Sequence, residues 1–256
     1  KMQVATISRH LDATHLNAIL NHPEVFKWAG GVDEPLDLSP VLQDQENIFV
    51  LMGEHGGQVY KRLQPALFDV HSQFLPEGRG DFALNVTRKT LQWIFTHTEA
   101  CEVLTRVPKG NLAAAALAKA IGGRFMWTHE NGWMRDGKPI AADIHSLTIQ
   151  DWMRTAPGLV ERGKWFNERL RAELKRHGIQ DDAQPDETCQ RYTGAVWEMI
   201  ANGQPLKGAG MWNRFASMAG YPPIGVVHRD PLAVDIWGML ILVRNGDFVI
   251  PAPPET

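Results

Sequence analysis

Between Phe68 and Gly122 the chain alternates extended and helical signals in an order that few folds accommodate. An apolar-rich run, Phe68 to Leu75, enters the loop Pro76-Glu77-Gly78-Arg79-Gly80. A helical pattern follows from Asp81 to Phe95. In it Ala83, Val86, Leu91, Ile94 and Phe95 fall within about half the circumference of a helix, and Arg88, Lys89 and Gln92 point the other way. A second strand-like run, Glu102 to Val107, reaches a Pro-Lys-Gly-Asn turn, and an alanine-rich helix opening at Asn111 closes the unit. Strand, glycine loop, helix, strand, helix is a βαβα unit and predicts an α/β fold. The loop presents unpaired backbone N–H groups at a helix N-terminus, where those donors and the positive end of the helix dipole attract phosphate oxygens.

The flanking segments supply the rest of a sheet. Residues 3–7 read as a strand, and Asp12 opens a helical stretch with Leu16, Ile19 and Leu20 at helical spacing before Pro23. Val25 to Gly31 ends in two glycines, as at a pocket rim. Asn47 to Gly53 and Gln58 to Leu67 predict a hairpin around Glu54-His55-Gly56-Gly57. Phe125 to Trp133 and Ile140 to Thr148 predict two more strands around Asp136-Gly137-Lys138-Pro139. Composition changes at Thr155-Ala156-Pro157-Gly158, which predicts a division into residues 1–154 and 155–256. The second part reads as a charged helix over 160–176, a polar linker over 178–186 and a helix from Thr188 to Ala201. A hairpin from Val234 to Ile250, turning at Asn245-Gly246, and a Pro-rich tail complete it.

Several classes of function are made unpromising by composition. With 44% hydrophobic and 21% charged residues the chain can bury a real core, which argues against global disorder. A net charge of -3 argues against a broad non-specific nucleic-acid surface while allowing a local basic groove. Two cysteines, Cys101 and Cys189, provide no disulfide framework and fit a reduced, cytoplasmic setting. No apolar run reaches the ~18 to 20 residues of a membrane helix, so no membrane partner is expected. The histidines show neither His-x-x-x-His nor Cys-x-x-Cys spacing, so no metal site is expected.

The central stretch resembles the acetyl-CoA-binding core of the GNAT (general N-acetyltransferase) superfamily. The resemblance rests on the strand running into PEGRG with a helix directly after, on the second strand, and on Asn111 opening NLAAAALAKAIGG. It covers roughly residues 3–150. Many members read Asn-x-x-Ala, then tyrosine seven residues after the asparagine and Gly-Phe at eleven and twelve. Here Asn111, Ala114 and Gly122 keep that register, whereas Ala118 stands at the tyrosine position and Gly123 at the phenylalanine position. The usual loop is Gln/Arg-x-x-Gly-x-Gly/Ala; with Gly78 and Gly80 as its pair, Leu75 occupies the leading position.

The resemblance implies a mixed central sheet flanked by helices, with a C-terminal accessory region, and an acyl-CoA-dependent N-acyltransferase using acetyl-CoA as co-substrate. It implies that backbone N–H groups from Gly78 to Ala83 cradle the pyrophosphate, with Arg79 adding charge. Gln73, Phe74 and Leu75 would form the strand edge that pairs with pantetheine and stabilises the oxyanion, and Asn111 would hydrogen-bond the pantetheine arm. The acceptor would be an amine of a protein, a small molecule or a modified DNA base, entering between Phe26–Gly31 and the strands near His71. The wording His-Ser-x-Phe-Leu-Pro-Glu-Gly-Arg-Gly is similar to bacteriophage-encoded members, which would put the protein in a host cytoplasm or a virion.

Direct transfer needs an uncharged amine and a proton for the leaving thiolate. His71 is the candidate base, because imidazole titrates near neutrality, and Asp69 lies two residues before it on the same strand face. A partly buried, hydrogen-bonded strand histidine is the plainer alternative. Tyr60 is the candidate acid in place of the missing tyrosine, against a packing role. For Gly78, Gly80 and Asn111 the competing reading is turn and cap duty. In the C-terminal region Trp165, Trp197, Trp212 and Trp237 accompany a basic helix with glutamates interleaved, which reads as a docking surface for nucleic acid or a protein partner or, more plainly, as an ordinary charged helix face; an acceptor wall, a homo-oligomer contact and an assembly module are the other readings. The reading from another class is a non-catalytic GNAT-like structural or interaction protein.

Overall fold

The computed structural model describes residues 12–30, 34–176, 178 and 186–201. Three short helices, α1 (Thr14–Leu20), α2 (Pro23–Phe26) and α3 (Ser39–Leu42), precede β1 (Ile48–Met52), β2 (Gly56–Gln64) and β3 (Leu67–Phe74). A one-turn 3-10 segment (Pro76–Gly78) leads into α4 (Asp81–His97). Then come β4 (Glu102–Pro108), α5 (Leu112–Ala120), β5 (Arg124–Arg135), β6 (Lys138–Thr148), α6 (Ile149–Thr155), α7 (Leu159–Arg176) and α8 (Glu187–Ala201). The strand expected over 3–7 and the hairpin expected over 234–250 lie outside the described residues. Leu67 opens β3 instead of closing β2, because Ala66 takes a positive φ of 70° and breaks the extended run.

Among the described residues six strands form one mixed sheet in the order β1-β2-β3-β4-β6-β5. Only β3 and β4 run parallel; the other neighbours are antiparallel. The parallel pair is the strand-to-strand crossover expected through α4. On one face, Leu16 of α1 packs with Phe49 and Val59, and Leu38, Val41, Leu42 and Leu51 extend that cluster. The opposite face takes α4, whose Ala83, Val86, Leu91 and Ile94 are buried while Arg88 and Lys89 are exposed. Arg88 Nη2 donates to Ala120 O at 3.3 Å, which sets α5 beside α4.

The chain divides into two units. The first holds the described residues up to Ile94 together with Glu99–Asp151; the second holds Phe95–Thr98 and the described residues from Trp152 on. In the second unit α7 and α8 approach closely at two glycines: a Cβ on Gly163 would collide with the Gln190 carbonyl, and one on Gly194 with the Leu159 carbonyl. Buried Glu198 pairs with Arg162, whose pKa burial lowers.

Candidate active site

The central geometric fact is a break in the sheet. Strands β3 and β4 are paired only at Leu67–Glu102, Phe68–Val103 and Asp69–Leu104. Beyond those three pairs, Val70–Phe74 and Thr105–Pro108 diverge, although each strand stays bonded to its outer neighbour, β2 or β6. A cavity of about 300 Å³ opens at this splay. Val59 and Lys61 line it, and so do Gln58 and Tyr60, all from β2. Successive strand residues face opposite sides, so the opening passes through the sheet from one face to the other.

On the α1-to-α3 side, His71 Nε2 lies 3.5 Å from Asp69 Oδ2, and Arg106 Nε lies 3.5 Å from the same oxygen. Asp69 is 4% exposed and its Oδ1 has no hydrogen-bond partner, so the carboxylate is a buried hub between imidazole and guanidinium. The His71 side chain is about a third exposed and leans on Trp133, with ring centroids 6.2 Å apart at 32°. Trp133 Nε1 donates to Trp28 O at 3.0 Å, and the Arg135 guanidinium sits 4.2 Å from the centre of the Trp28 ring. Trp28 and Ala29 line the same cavity as His71, with Trp133 touching both Trp28 and His71.

On the α4 and α5 side, Gln58 is fully buried. Its Nε2 donates to Ser72 Oγ at 2.8 Å and to Thr87 Oγ1 at 3.2 Å, and its Oε1 accepts from the Tyr60 hydroxyl at 2.8 Å. Burial pushes the Tyr60 phenol far above its ordinary value, so it stays protonated and bound to Gln58. Tyr60 thus lines the cavity as a donor already committed to a neighbour. His145 lines the same wall; its Nδ1 is buried without a partner, and its ring meets Phe125 edge-on at 6.0 Å. Gly123 N–H donates to Ala118 O at 2.9 Å, and a Cβ at Gly123 would lie 3.7 Å from His145 Cβ. His145 is therefore close to the Ala118–Gly123 turn at the end of α5.

The loop residues divide by role. Gly78 is buried, and a Cβ there would stand 2.7 Å from His55 O, so its glycine serves close main-chain packing. Gly80 has a φ of +70°, meets nothing within 4 Å and offers no side chain to cap α4. The first α4-directed bond runs from Leu84 N–H to Gly80 O at 3.0 Å, which leaves the N–H groups of Asp81, Phe82 and Ala83 as first-turn donors. Arg79 turns inward: its Nε donates to Phe74 O at 3.4 Å and its Nη2 to Glu24 O at 3.1 Å. It tethers the loop. Gln73 and Phe74 are buried on the splayed edge, Gln73 Oε1 has no partner, and Leu75 N–H donates to His55 O at 2.8 Å. Asn111 Oδ1 accepts from Ala114 N–H at 3.2 Å, making it the N-cap of α5 while it also lines the cavity.

Of the residues singled out from the sequence, His71, Gln73 and Asn111 line the opening, and Asp69 is buried behind His71. Gln58, Arg106, Trp133 and His145, which the sequence did not single out, line it as well. Arg106 carries a weak local signal, a charged residue between Leu104-Thr105 and Val107; Gln58, which follows two glycines, and His145, whose neighbours come from α5 and β5, carry none. Among the described residues no group of three His, Cys, Asp or Glu side chains could hold a metal ion, and no helix is long and apolar enough to cross a membrane.

A family described as a protein of unknown function (DUF2824) matches residues 44–154. No curated protein sequence matches the chain. Among solved structures, the spermidine N-acetyltransferase from Vibrio cholerae, solved in complex with CoA and spermine, superposes with a TM-score of 0.50 at 12% identity. That likeness covers 58% of this chain and 97% of that one. The ribosomal-protein-S5-alanine acetyltransferase from Vibrio fischeri gives a TM-score of 0.48 at 13% identity, over 58% of this chain and 93% of that one. The first of these likenesses identifies the fold: a mixed sheet flanked by helices, as in the GNAT acetyltransferases.

Proposed function

We propose that the chain is an acyl-CoA-dependent N-acyltransferase, with acetyl-CoA as the acyl donor and an amine as acceptor. The observation that carries this reading is the splay: two strands bonded at three pairs and then held apart, with main-chain edges facing an open cavity. Such an edge is costly to leave unpaired, and an extended amide-bearing arm such as pantetheine satisfies it. The uncapped first turn of α4 after Gly80 suits a diphosphate, and Asn111 and Ala114 border the same opening.

When bound, acyl-CoA supplies a thioester whose C–S bond breaks as the amine nitrogen bonds to the carbonyl carbon. His71, oriented by Asp69, takes the proton from the acceptor ammonium and passes it to solvent through its exposed edge. His145, on the opposite wall beside Ala118, gives a proton to the departing sulfur and is reprotonated by the second proton, which the nitrogen sheds as it becomes an amide. Tyr60 holds Gln58, and through it the wall, in place. The similar spermidine N-acetyltransferase, solved with spermine, acts on an amine, which supports an acceptor of this kind. A bacteriophage source would admit a host protein or a modified DNA base.

A non-catalytic reading draws on one observation, Ala118 at the family's tyrosine position. Calorimetric titration with acetyl-CoA separates the two when combined with thiol-release assays. Saturable binding is expected for the native chain and is expected to vanish in Ala114→Phe, which fills the α5 side of the opening without altering the unfolding temperature. Thiol release that falls in His145→Gln and His71→Gln supports transfer. Binding without release across an amine panel supports the non-catalytic module, and absence of binding overturns both the donor and the site.

A further inference from the structure

The acceptor half of the opening has an electrostatic signature that a generic amine site lacks. On the α1-to-α3 face, its titratable lining side chains are Lys61, His71 and Arg106; among the described residues no carboxylate lines the cavity on either face. Asp69, which does not line it, is buried and already shared by His71 and Arg106. Lys61 lies across from Asp69 in the β2–β3 register, is exposed, and forms no ion pair with a described residue. Arg106 reaches Asp69 through Nε, and its side chain is 43% exposed. Register places all of these on one side: Lys61 opposes Asp69, Leu104 pairs with Asp69, and Arg106 follows Leu104 by two. Arg106 in turn opposes Ile144, and Ile140, four residues earlier, opposes Trp133.

Two cations against one buried carboxylate leave this mouth positive, and His71 adds charge whenever it holds a proton. A polycationic acceptor would bring further positive charge to it. The walls beside the cations are aromatic, Trp133 and Trp28, each held by a second contact from another segment. Flat rings fixed in this way favour an aromatic body by stacking, and a guanidinium fork favours a carboxylate.

We infer that the acceptor is a small amine that carries both an aromatic ring and a carboxylate, bound with its anion at Lys61 and Arg106, its ring against Trp133 and its nitrogen toward His71. The inference rests on the acyltransfer reading for the fate of that nitrogen; the binding preference stands on the charge and ring geometry alone.

The test uses the full chain without acetyl-CoA and compares L-phenylalanine, phenethylamine and spermidine by calorimetry. Phenethylamine keeps the amine and ring and lacks the carboxylate. L-phenylalanine is expected to bind at least tenfold tighter than either other probe. Lys61→Gln, at an exposed position with no ion pair to lose, is expected to cut that preference several-fold, and Arg106→Gln to do the same. Equal or tighter binding of phenethylamine or spermidine overturns the inference, as does an unchanged preference in Lys61→Gln or no binding of any probe. Preferential binding of L-phenylalanine with no thiol release on adding acetyl-CoA upholds the anionic-amine site and defeats the acyltransfer reading.

Discussion

The buried Gln58–Tyr60 pair allows a quantitative check on what holds the splay open. Tyr60→Phe removes the hydroxyl that donates to Gln58 Oε1 at 2.8 Å and leaves that oxygen without a donor at a fully buried position. An orphaned buried acceptor costs about 1–3 kcal/mol. Gln58→Met keeps the length of the side chain but orphans the Tyr60 hydroxyl and releases Ser72 and Thr87. Ser72 is exposed and can turn to water, and Thr87 can bond back to its own helix turn. The loss is therefore again dominated by one orphan, and about 2–4 kcal/mol is expected in all. In the double variant neither member of the pair remains, so a coupling of about 1–2 kcal/mol should be recovered. Native-state hydrogen exchange of β2 and β3 amides measures these local opening free energies without requiring the whole chain to unfold as one unit. Strict additivity of the two single substitutions would refute the claim that the pair is a closed, mutually satisfied unit in the cavity wall.

Two further expectations concern the loop and the last strand. Gly78→Ala should destabilise the first unit by about 1–3 kcal/mol, because the new methyl meets main-chain atoms of His55 that cannot swing aside. Gly80→Ala should cost only about 1 kcal/mol through its positive φ, and urea midpoints that rank the two the other way would contradict the loop geometry. Asp151 is buried, which pushes its carboxyl up, but hydrogen bonds from Thr148 and Arg124 outweigh burial and hold it below the usual carboxylate range. A carboxyl lowered in the folded state contributes stability above its unfolded pKa and loses it as pH falls through the folded value. Stability should therefore decline below about pH 4, and Asp151→Asn should flatten that acid limb in urea midpoints taken from pH 5 downward.

The elements were legible because their signals are local. The apolar-rich run over Phe68–Leu75, the half-circumference of apolar residues on α4 and the Asn111 cap each depend on neighbours a few positions away, and the structure forms a strand over Leu67–Phe74, a helix over Asp81–His97 and a cap at Asn111. Two one-turn helices, α2 and α3, escaped, since four residues are too few to show a period, and α6 escaped because its capping pair Thr148–Asp151 sits against the end of a strand pattern. The site is another matter. Whether β3 and β4 part after Asp69 depends on how many pairs a crossover through α4 permits, and no residue in either strand encodes that number. The cationic and aromatic lining of the opening arises in the same way: Lys61, His71, Arg106 and Trp133 come from four strands, and only the register of the sheet brings them to one face. Short-range patterning could name the strands and the loop; long-range pairing, which answers to the packing of helices on both faces, set the gap between them and the polarity of its walls.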